Sequence, residues 1–354
     1  MITIVRRMSY CIALQITCVV AEMPRDLFAN KKILVIGGTG YLGRTIVEEV
    51  LKYDPQKVTI FSRDEVKHAN CIEKFGRNRI CSILGDIRNY QSVDVVTRGM
   101  DIVFHVAALK RADTLEFQVQ EGIATNVIGT ANVFNACINN NVDKVLFVST
   151  DKSCFPINAY GATKMLDEKI FTNYDKTATK TTFVVTRFGN ILESTGSVIP
   201  FFVEKIRKGE SISLTDERMT RFIIDRQEAF DVMCTALHYG IGGEIFIKKL
   251  PALRVADLID VLKKRYNASN EVTVAGLRPG EKFHEILISA FEKLRAYAFE
   301  DYYIIPPEVH RPQELAMYVT KGRKIEKSDV SDYSSELAVI SQEELAKKFE
   351  SLNI

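Results

Sequence analysis

The sequence has no C-x-x-C pair, no internal repeat, no low-complexity tract and almost no net charge. Its seven cysteines (Cys11, Cys18, Cys71, Cys81, Cys137, Cys154 and Cys234) are odd in number and scattered, which suits neither a disulfide framework nor a zinc site. Reduced thiols are expected. The five histidines, His68, His105, His238, His284 and His310, are equally dispersed. His284-Glu285 lacks the second histidine of a metalloprotease helix, so no metal is expected. Lys plus Arg number 47 against 45 for Asp plus Glu, a formal charge of +2, and the chain as a whole gives no electrostatic reason to bind nucleic acid. The apolar stretch from Cys11 to Ala21, preceded by Arg6-Arg7, superficially resembles a secretory signal but is too short to span a bilayer. With Met8 and Met23 as alternative starts, residues 1–30 read as an extension outside the folded body. A membrane tether is the alternative, and a cytoplasmic location the expectation.

What is present is ordinary globular composition, 46% hydrophobic and 26% charged over 354 residues, enough for one large or two fused domains. Short apolar runs recur at Ile33–Ile36, Val58–Phe61, Ile80–Leu84, Asp101–His105 and Lys144–Val148, with helix-like segments between them. Such alternation predicts βαβ units, a parallel sheet buried on both faces and right-handed crossovers: an α/β, doubly wound Rossmann-type domain over 31–190. After residue 190, Pro200, Gly209-Glu210, Gly242-Gly243, Pro251 and Pro279-Gly280 break the rhythm, so 191–354 reads mainly as a smaller substrate-binding lobe with a polar tail. Ser341 to Leu352 is a helical candidate that opens on a capping-box pattern.

The first apolar run leads directly into Gly37-Gly38-Thr39-Gly40-Tyr41-Leu42-Gly43 and then a helix. Glycines at that turn let the backbone approach a pyrophosphate whose charge sits on the helix N-terminus, which predicts dinucleotide binding. Ser62-Arg63 follows the second run, where an NAD enzyme usually carries an acid. A guanidinium and a hydroxyl there favour the 2′-phosphate of NADP. Asp64 leaves the alternative open, because it can instead turn towards an NAD ribose. Asp86-Ile87 is placed to border the adenine.

The fifth run ends Ser149-Thr150-Asp151-Lys152, and Tyr160 and Lys164 lie four apart shortly after. On a helix they share a face, where the ammonium can lower the pKa of the phenol and make it a base for a sugar hydroxyl.

Taken together, GGTGYLG, FSRDEVK, GDIRN, HVAALKR, TNVIGTANV, STDKSCFPINAYGATK, RFGNI, GSVIPFF, TDERMTRF, GGEIF and RPGEKFHE resemble the extended short-chain dehydrogenase/reductases. More closely, the chain is similar to the inverting UDP-N-acetylglucosamine 4,6-dehydratases of glycan biosynthesis, from about Lys31 onward. The resemblance implies tightly bound NADP recycled in each turnover, held by Gly37, Thr39, Gly40, Tyr41, Leu42, Gly43, Ser62, Arg63, Asp64, Lys67, Asp86, Ile87, Ala107, Lys110, Tyr160 and Lys164. It implies catalysis by Thr150, Asp151, Lys152, Tyr160 and Lys164, with Asp151 the acid for the C6 hydroxyl and Lys152 the base at C5. The acid role needs a protonated Asp151; the base role needs a depressed Lys152 pKa, expected here from Lys164 and a cationic nicotinamide. UDP-sugar contacts are implied at Lys110, Asn190, Thr195, Gly196, Ser197, Val198, Thr215, Arg221, Arg278 and Glu281, and a homo-oligomer, dimer or hexamer, as the working form. The chain departs from the family at Ile36, where Thr is usual, at Arg111-Ala112-Asp113 and at Ser153-Cys154-Phe155. A UDP-sugar C4 epimerase, sharing Tyr160 and Lys164, and a non-catalytic NADP-binding protein are the competing readings.

Overall fold

The computed structural model describes residues 25–176, 178–194, 198–308, 318, 322–326, 329 and 331–351. Most of the N-terminal extension, and Thr195, Gly196 and Ser197 of the expected substrate contacts, lie outside them.

The five apolar runs form parallel strands, β1 (Lys32–Ile36), β2 (Lys57–Ser62), β3 (Ile80–Leu84), β4 (Ile102–His105) and β5 (Lys144–Thr150), and a sixth, β6 (Thr182–Phe188), joins them. Their order, 3-2-1-4-5-6, is that of a doubly wound sheet. Between them run α1 (Tyr41–Val50), α2 (Glu65–Phe75), α3 (Tyr90–Thr97), α4 (Gly129–Asn139) and α5 (Ala159–Thr172). Side chains alternate across each strand, so both faces need covering. Leu34 and Ile36 of β1 join the cluster containing Val96 of α3, Val133 of α4 and Phe171 of α5. Ile33 and Val35 point the other way, into the cluster holding Ile46 and Val50 of α1 and Cys71 of α2.

The sheet does not stop at residue 190. After β7 (Asn190–Ile191), α6 (Val198–Lys208), β8 (Ile212–Leu214) and β9 (Thr220–Ile224), helix α7 (Arg226–Tyr239) returns to the sheet to pack against β5 and β6, with Phe230, Met233 and Leu237 in the core. Strand β10 (Ile245–Lys248) then pairs parallel with β6. Following β11 (Ala252–Arg254), α8 (Val255–Arg265), β12 (Val272–Val274) and β13 (Ile286–Ile288) come β14 (Tyr297–Ala298), β15 (Tyr302–Ile305) and β16 (Arg323–Lys324), which extend the edge antiparallel. The lobe expected over 191–354 is therefore interleaved with the sheet. Its own core comes from Phe202 and Ile206 of α6, Leu258 and Leu262 of α8, and Leu345 and Phe349 of α9 (Gln342–Ser351). The predicted capping box opens α9: the Glu344 amide donates to the Ser341 hydroxyl at 3.2 Å, and the Ser341 amide donates to the Glu344 carboxylate at 2.9 Å. Among the described residues no helix is long and apolar enough to cross a membrane.

Candidate active site

The glycine loop between β1 and α1 is built for close backbone approach. Gly37 sits at φ 89°, and a Cβ there would stand 2.7 Å from the Ala107 nitrogen. A Cβ on Gly43 would stand 2.2 Å from the Gly37 carbonyl oxygen, so the first turn of α1 lies directly on the loop. No side chain caps α1 at Gly40, which leaves that end to a ligand's negative charge. These features fit a pyrophosphate.

At the end of β2, Ser62 meets Thr39 of the loop, hydroxyl to hydroxyl at 2.7 Å. Arg63 is half exposed and lies 3.6 Å from Asp86. Burial pushes Asp86 up, but hydrogen bonds from Arg88 and the charge of Arg63 outweigh it and hold the carboxyl below its usual value. Asp64 faces elsewhere. It caps α2 by accepting from the Lys67 amide at 3.0 Å and pairs with the Lys67 ammonium at 3.0 Å. The residue that left the cofactor reading open is thus occupied as a helix cap. Ile87 is buried, and its carbonyl accepts from Asn132 at 2.8 Å.

Across the sheet, the loop carrying Ala107 and Lys110 is fixed by buried Asn126. Its Oδ1 accepts from the Leu109 amide at 2.8 Å, and its Nδ2 donates to the Leu109 carbonyl at 3.0 Å and to Thr163 at 2.9 Å. Asn126 lies in a π-helical stretch, Ile123–Ile128, a rare distortion often found at functional sites. Lys110 is exposed at the rim, and desolvation by its surroundings still pulls its pKa down.

Strand β5 delivers the catalytic candidates. Beyond Thr150 the chain makes a 3-10 turn, Asp151–Ser153, and α5 starts at an Asn158 cap that accepts from the Gly161 amide at 2.7 Å. Asp151 is fully buried; its Oδ1 accepts from the Thr150 hydroxyl at 2.9 Å and from the Lys152 ammonium at 2.9 Å, and its Oδ2 has no hydrogen-bond partner among the described residues. Burial raises its pKa against the pull of Lys152, with Glu285 adding to the rise, so the acid has reason to keep its proton.

Lys152 departs from expectation. Its ammonium lies between Asp151 and the buried carboxylate of Glu285, 3.5 Å away, and also reaches the Asn190 side-chain oxygen at 3.4 Å. Burial alone would lower its pKa; the two carboxylates outweigh burial and hold it above the ordinary lysine value. Lys164 supplies no counter-push there. Its ammonium donates to the Val148 carbonyl at 2.8 Å, lies 3.8 Å from the centre of the Phe147 ring, and sits 3.7 Å from Asp167. Burial pulls Lys164 down to about 8, opposed by Asp167 and Glu168, and pushes Asp167 up to about 7, opposed by Lys164. Tyr160 departs as well. Desolvation pushes its phenol up to about 12, and the cation that opposes this is Lys152, not Lys164.

The second lobe closes on this cluster. Lys282 donates to the Cys154 carbonyl at 2.7 Å, and Asn158 donates to the Gly280 carbonyl at 2.8 Å, which ties the RPGEK segment to the catalytic loop. Arg221 Nε is 3.9 Å from Glu285. Burial pushes Glu285 up, but Lys152, Arg221 and Lys282 outweigh it and hold the carboxyl ionised. Asn190 and Arg221 therefore join the Asp151–Lys152 cluster. Arg278 and Glu281 pair with each other at 4.0 Å, Arg278 exposed, while Thr215 lies after β8 with its carbonyl accepting from the Gly276 amide and Val198 begins α6. Sequence reasoning missed Glu285, Asn126 and Asp167 as site residues. Glu285 and Asn126 sit inside motifs that carry the family resemblance; nothing local marks Asp167. Among the described residues no group of three metal-ligating side chains converges.

Residues 33–307 match the family model described as a polysaccharide biosynthesis protein. The chain is 39% identical over 315 residues, 87% of its length and 92% of the relative's, to a UDP-glucose 4-epimerase of Rickettsia rickettsii (strain Sheila Smith). The structure superposes on Pen from Bacillus thuringiensis with a TM-score of 0.86 at 36% identity, covering 92% of this chain and 99% of that one. DesIV of Streptomyces venezuelae, a dTDP-glucose 4,6-dehydratase solved with NAD and TYD, shares the fold at a TM-score of 0.67 and 22% identity, over 82% of this chain and 96% of its own.

Proposed function

The chain belongs to the polysaccharide-biosynthesis family of extended short-chain dehydrogenase/reductases, nicotinamide-dependent enzymes that modify nucleotide sugars, and from that premise we propose that it removes water across C5 and C6 of a UDP-hexose, UDP-N-acetylglucosamine by preference, with inversion at C5. One observation carries the reading: a buried acid and a lysine, Asp151-Lys152, stand in contact just beyond β5, near enough to Tyr160 for both to act on its phenol. An enzyme that only interconverts C4 configurations needs a base at C4 and has no use for an acid–base pair beyond it.

The residues that would hold the cofactor are the Gly37–Gly43 loop, Ser62, Arg63 and Lys164. A bound nicotinamide supplies reversible acceptance of a hydride from a sugar carbon. Arg63 and Ser62, with Asp64 committed to its cap, favour NADP. Tyr160 takes the C4 hydroxyl proton. Its raised phenol pKa means the proton moves only with help from positive charge, and Lys152 is the protein cation that lowers it. With C4 a ketone, C5–H becomes acidic. Lys152 then takes the C5 proton, the C5–H electron pair enters the enolate, and Asp151 gives its proton to the departing C6 oxygen, which leaves as water as the C5–C6 double bond forms. The hydride first accepted from C4 would return to C6 while C5 regains a proton on its opposite face, which completes the 4-keto-6-deoxy product. Because Lys152 lies between Asp151 and the ionised Glu285, it must first lose its resting proton, so water loss should quicken as pH rises for as long as Asp151 keeps the proton it gives.

The second reading is C4 epimerisation, the activity for which the Rickettsia relative is named. Incubation with UDP-N-acetylglucosamine and mass spectrometry of the product separates the two. The dehydratase gives a product lighter by one water; the epimerase gives an isomer of unchanged mass.

A further inference from the structure

Buried beneath the expected 2′-phosphate contact is a histidine that no motif marks. His68, on α2 and 3% exposed, reaches the Ser62 hydroxyl with Nε2 at 2.9 Å and the Ser62 carbonyl oxygen with the same nitrogen at 3.2 Å. Its Nδ1 lies 2.5 Å from the Ser82 hydroxyl on β3. Burial lowers the imidazole pKa, so the ring is neutral and carries one proton.

The partners say which nitrogen holds it. A carbonyl oxygen only accepts, so Nε2 is the donor, shared between the Ser62 carbonyl and hydroxyl oxygens. Nδ1 is then a bare acceptor, and the Ser82 hydroxyl donates to it. The Ser62 oxygen, receiving from His68, has no need to spend its own proton inward. Thr39 stands 2.7 Å away on the glycine loop, where either hydroxyl can donate. The relay Ser82–His68–Ser62–Thr39 thus links β3 to the cofactor loop; the bonds at His68 have a set direction, and when Thr39 donates to Ser62 the Ser62 hydroxyl keeps its own proton for a ligand.

We propose that His68 is a positioning residue for cofactor choice: by donating to Ser62 it turns that hydroxyl outward as a donor for the 2′-phosphate of NADP, beside Arg63. The inference rests on the NADP reading above and is independent of the sugar chemistry. A phosphate oxygen gains from a neutral donor that already has its acceptor side satisfied; a ribose hydroxyl, which can donate as well as accept, is nearly indifferent to the same change.

The test is binding, not turnover. Dissociation constants for NADP and NAD are measured by calorimetry on the purified wild-type chain and on His68→Phe, His68→Gln and Ser62→Ala. Wild type should prefer NADP. His68→Phe, which keeps a ring but no donor, should weaken NADP roughly tenfold, the effect of one charge-assisted hydrogen bond, and leave NAD nearly unchanged. His68→Gln, whose amide N–H can donate to Ser62, should restore most of the preference. In the Ser62→Ala background His68→Phe should add nothing. Equal weakening of both cofactors, an unchanged NADP affinity, or an undiminished effect without Ser62 overturns the proposal. If His68→Phe does not fold, His68→Asn, too short to reach Ser62, takes its place with the same expectations. A wild type that prefers NAD sinks the NADP reading itself, and that outcome is visible before any variant is made.

Discussion

Two lysines, Lys164 one helical turn beyond Tyr160 and Lys152 on the turn after β5, are treated in opposite ways by their surroundings. Lys164 is packed against an aromatic ring and a backbone carbonyl, with one imperfectly ionised carboxylate 3.7 Å away, and its pKa falls to about 8. Lys152 is less deeply buried, and two acidic side chains, Asp151 at 2.9 Å and the ionised Glu285 at 3.5 Å, hold its pKa up. The difference teaches that burial alone does not fix the sign of a lysine's shift; the acidic groups in contact with it decide whether burial prevails. Lys152, the more firmly charged, is the cation that eases the Tyr160 phenol, while Lys164 is held by the Val148 carbonyl and the Phe147 ring.

Four variants probe this contrast. Tyr160→Phe should have the largest effect, a loss of all measurable turnover, while NADP binding, which depends on the glycine loop and Arg63, is unchanged by calorimetry. Activity near wild type would remove Tyr160 from the chemistry. Lys152→Ala should slow water loss by about 10²–10⁴-fold, the usual contribution of a general base. Oxidation at C4 should continue more slowly and leave reduced nicotinamide and a 4-keto sugar to accumulate. Dehydration at the wild-type rate would contradict the role given to Lys152.

A smaller shift is expected from Glu285→Gln. Glu285 raises the Lys152 pKa, so its removal lets that pKa fall, and the rising limb of the pH–rate profile for water loss should move to lower pH. An unmoved profile would mean that Glu285 does not control the lysine. The smallest effect lies behind Lys164, where burial acts almost alone. His105 is fully buried, donating or accepting only through Nε2 to Thr130 at 2.9 Å, and its pKa drops to about 3 by burial and by the charge of Lys164. A depressed histidine favours the fold above its unfolded value of 6.5 and withdraws that support as pH falls towards about 3. His105→Gln should therefore lose less melting temperature than wild type between pH 7 and pH 4. An equal loss would show that other groups govern acid unfolding.

How far the sequence reveals these arrangements depends on the range of the forces involved. The apolar runs name β1 to β5 almost to the residue, because strands of a sheet covered by helices on both faces are mostly apolar. The glycine loop is equally legible, since Gly37 and Gly43 have local steric causes. Less legible is the return of β10 and β15 to the sheet, which depends on partners more than fifty residues away. Glu285 and His68 were hidden for the same reason. Each acquires its meaning from a side chain on another element, Lys152 in one case and Ser62 in the other. The expectation that Lys164 would depress Lys152 failed because spacing along α5 reveals a shared face and says nothing of the carboxylate arriving from the second lobe.

In the proposed reaction Lys152 acts at C5 and Asp151 at the C6 oxygen, both beyond the carbon that an epimerase works on. Conversion of UDP-N-acetylglucosamine in heavy water, followed by NMR of the product, tests it most directly. The account predicts a 4-keto-6-deoxy sugar carrying solvent deuterium at C5 in the L configuration. A product that retains its original hydrogen at C5, or that differs from substrate only at C4, would contradict it.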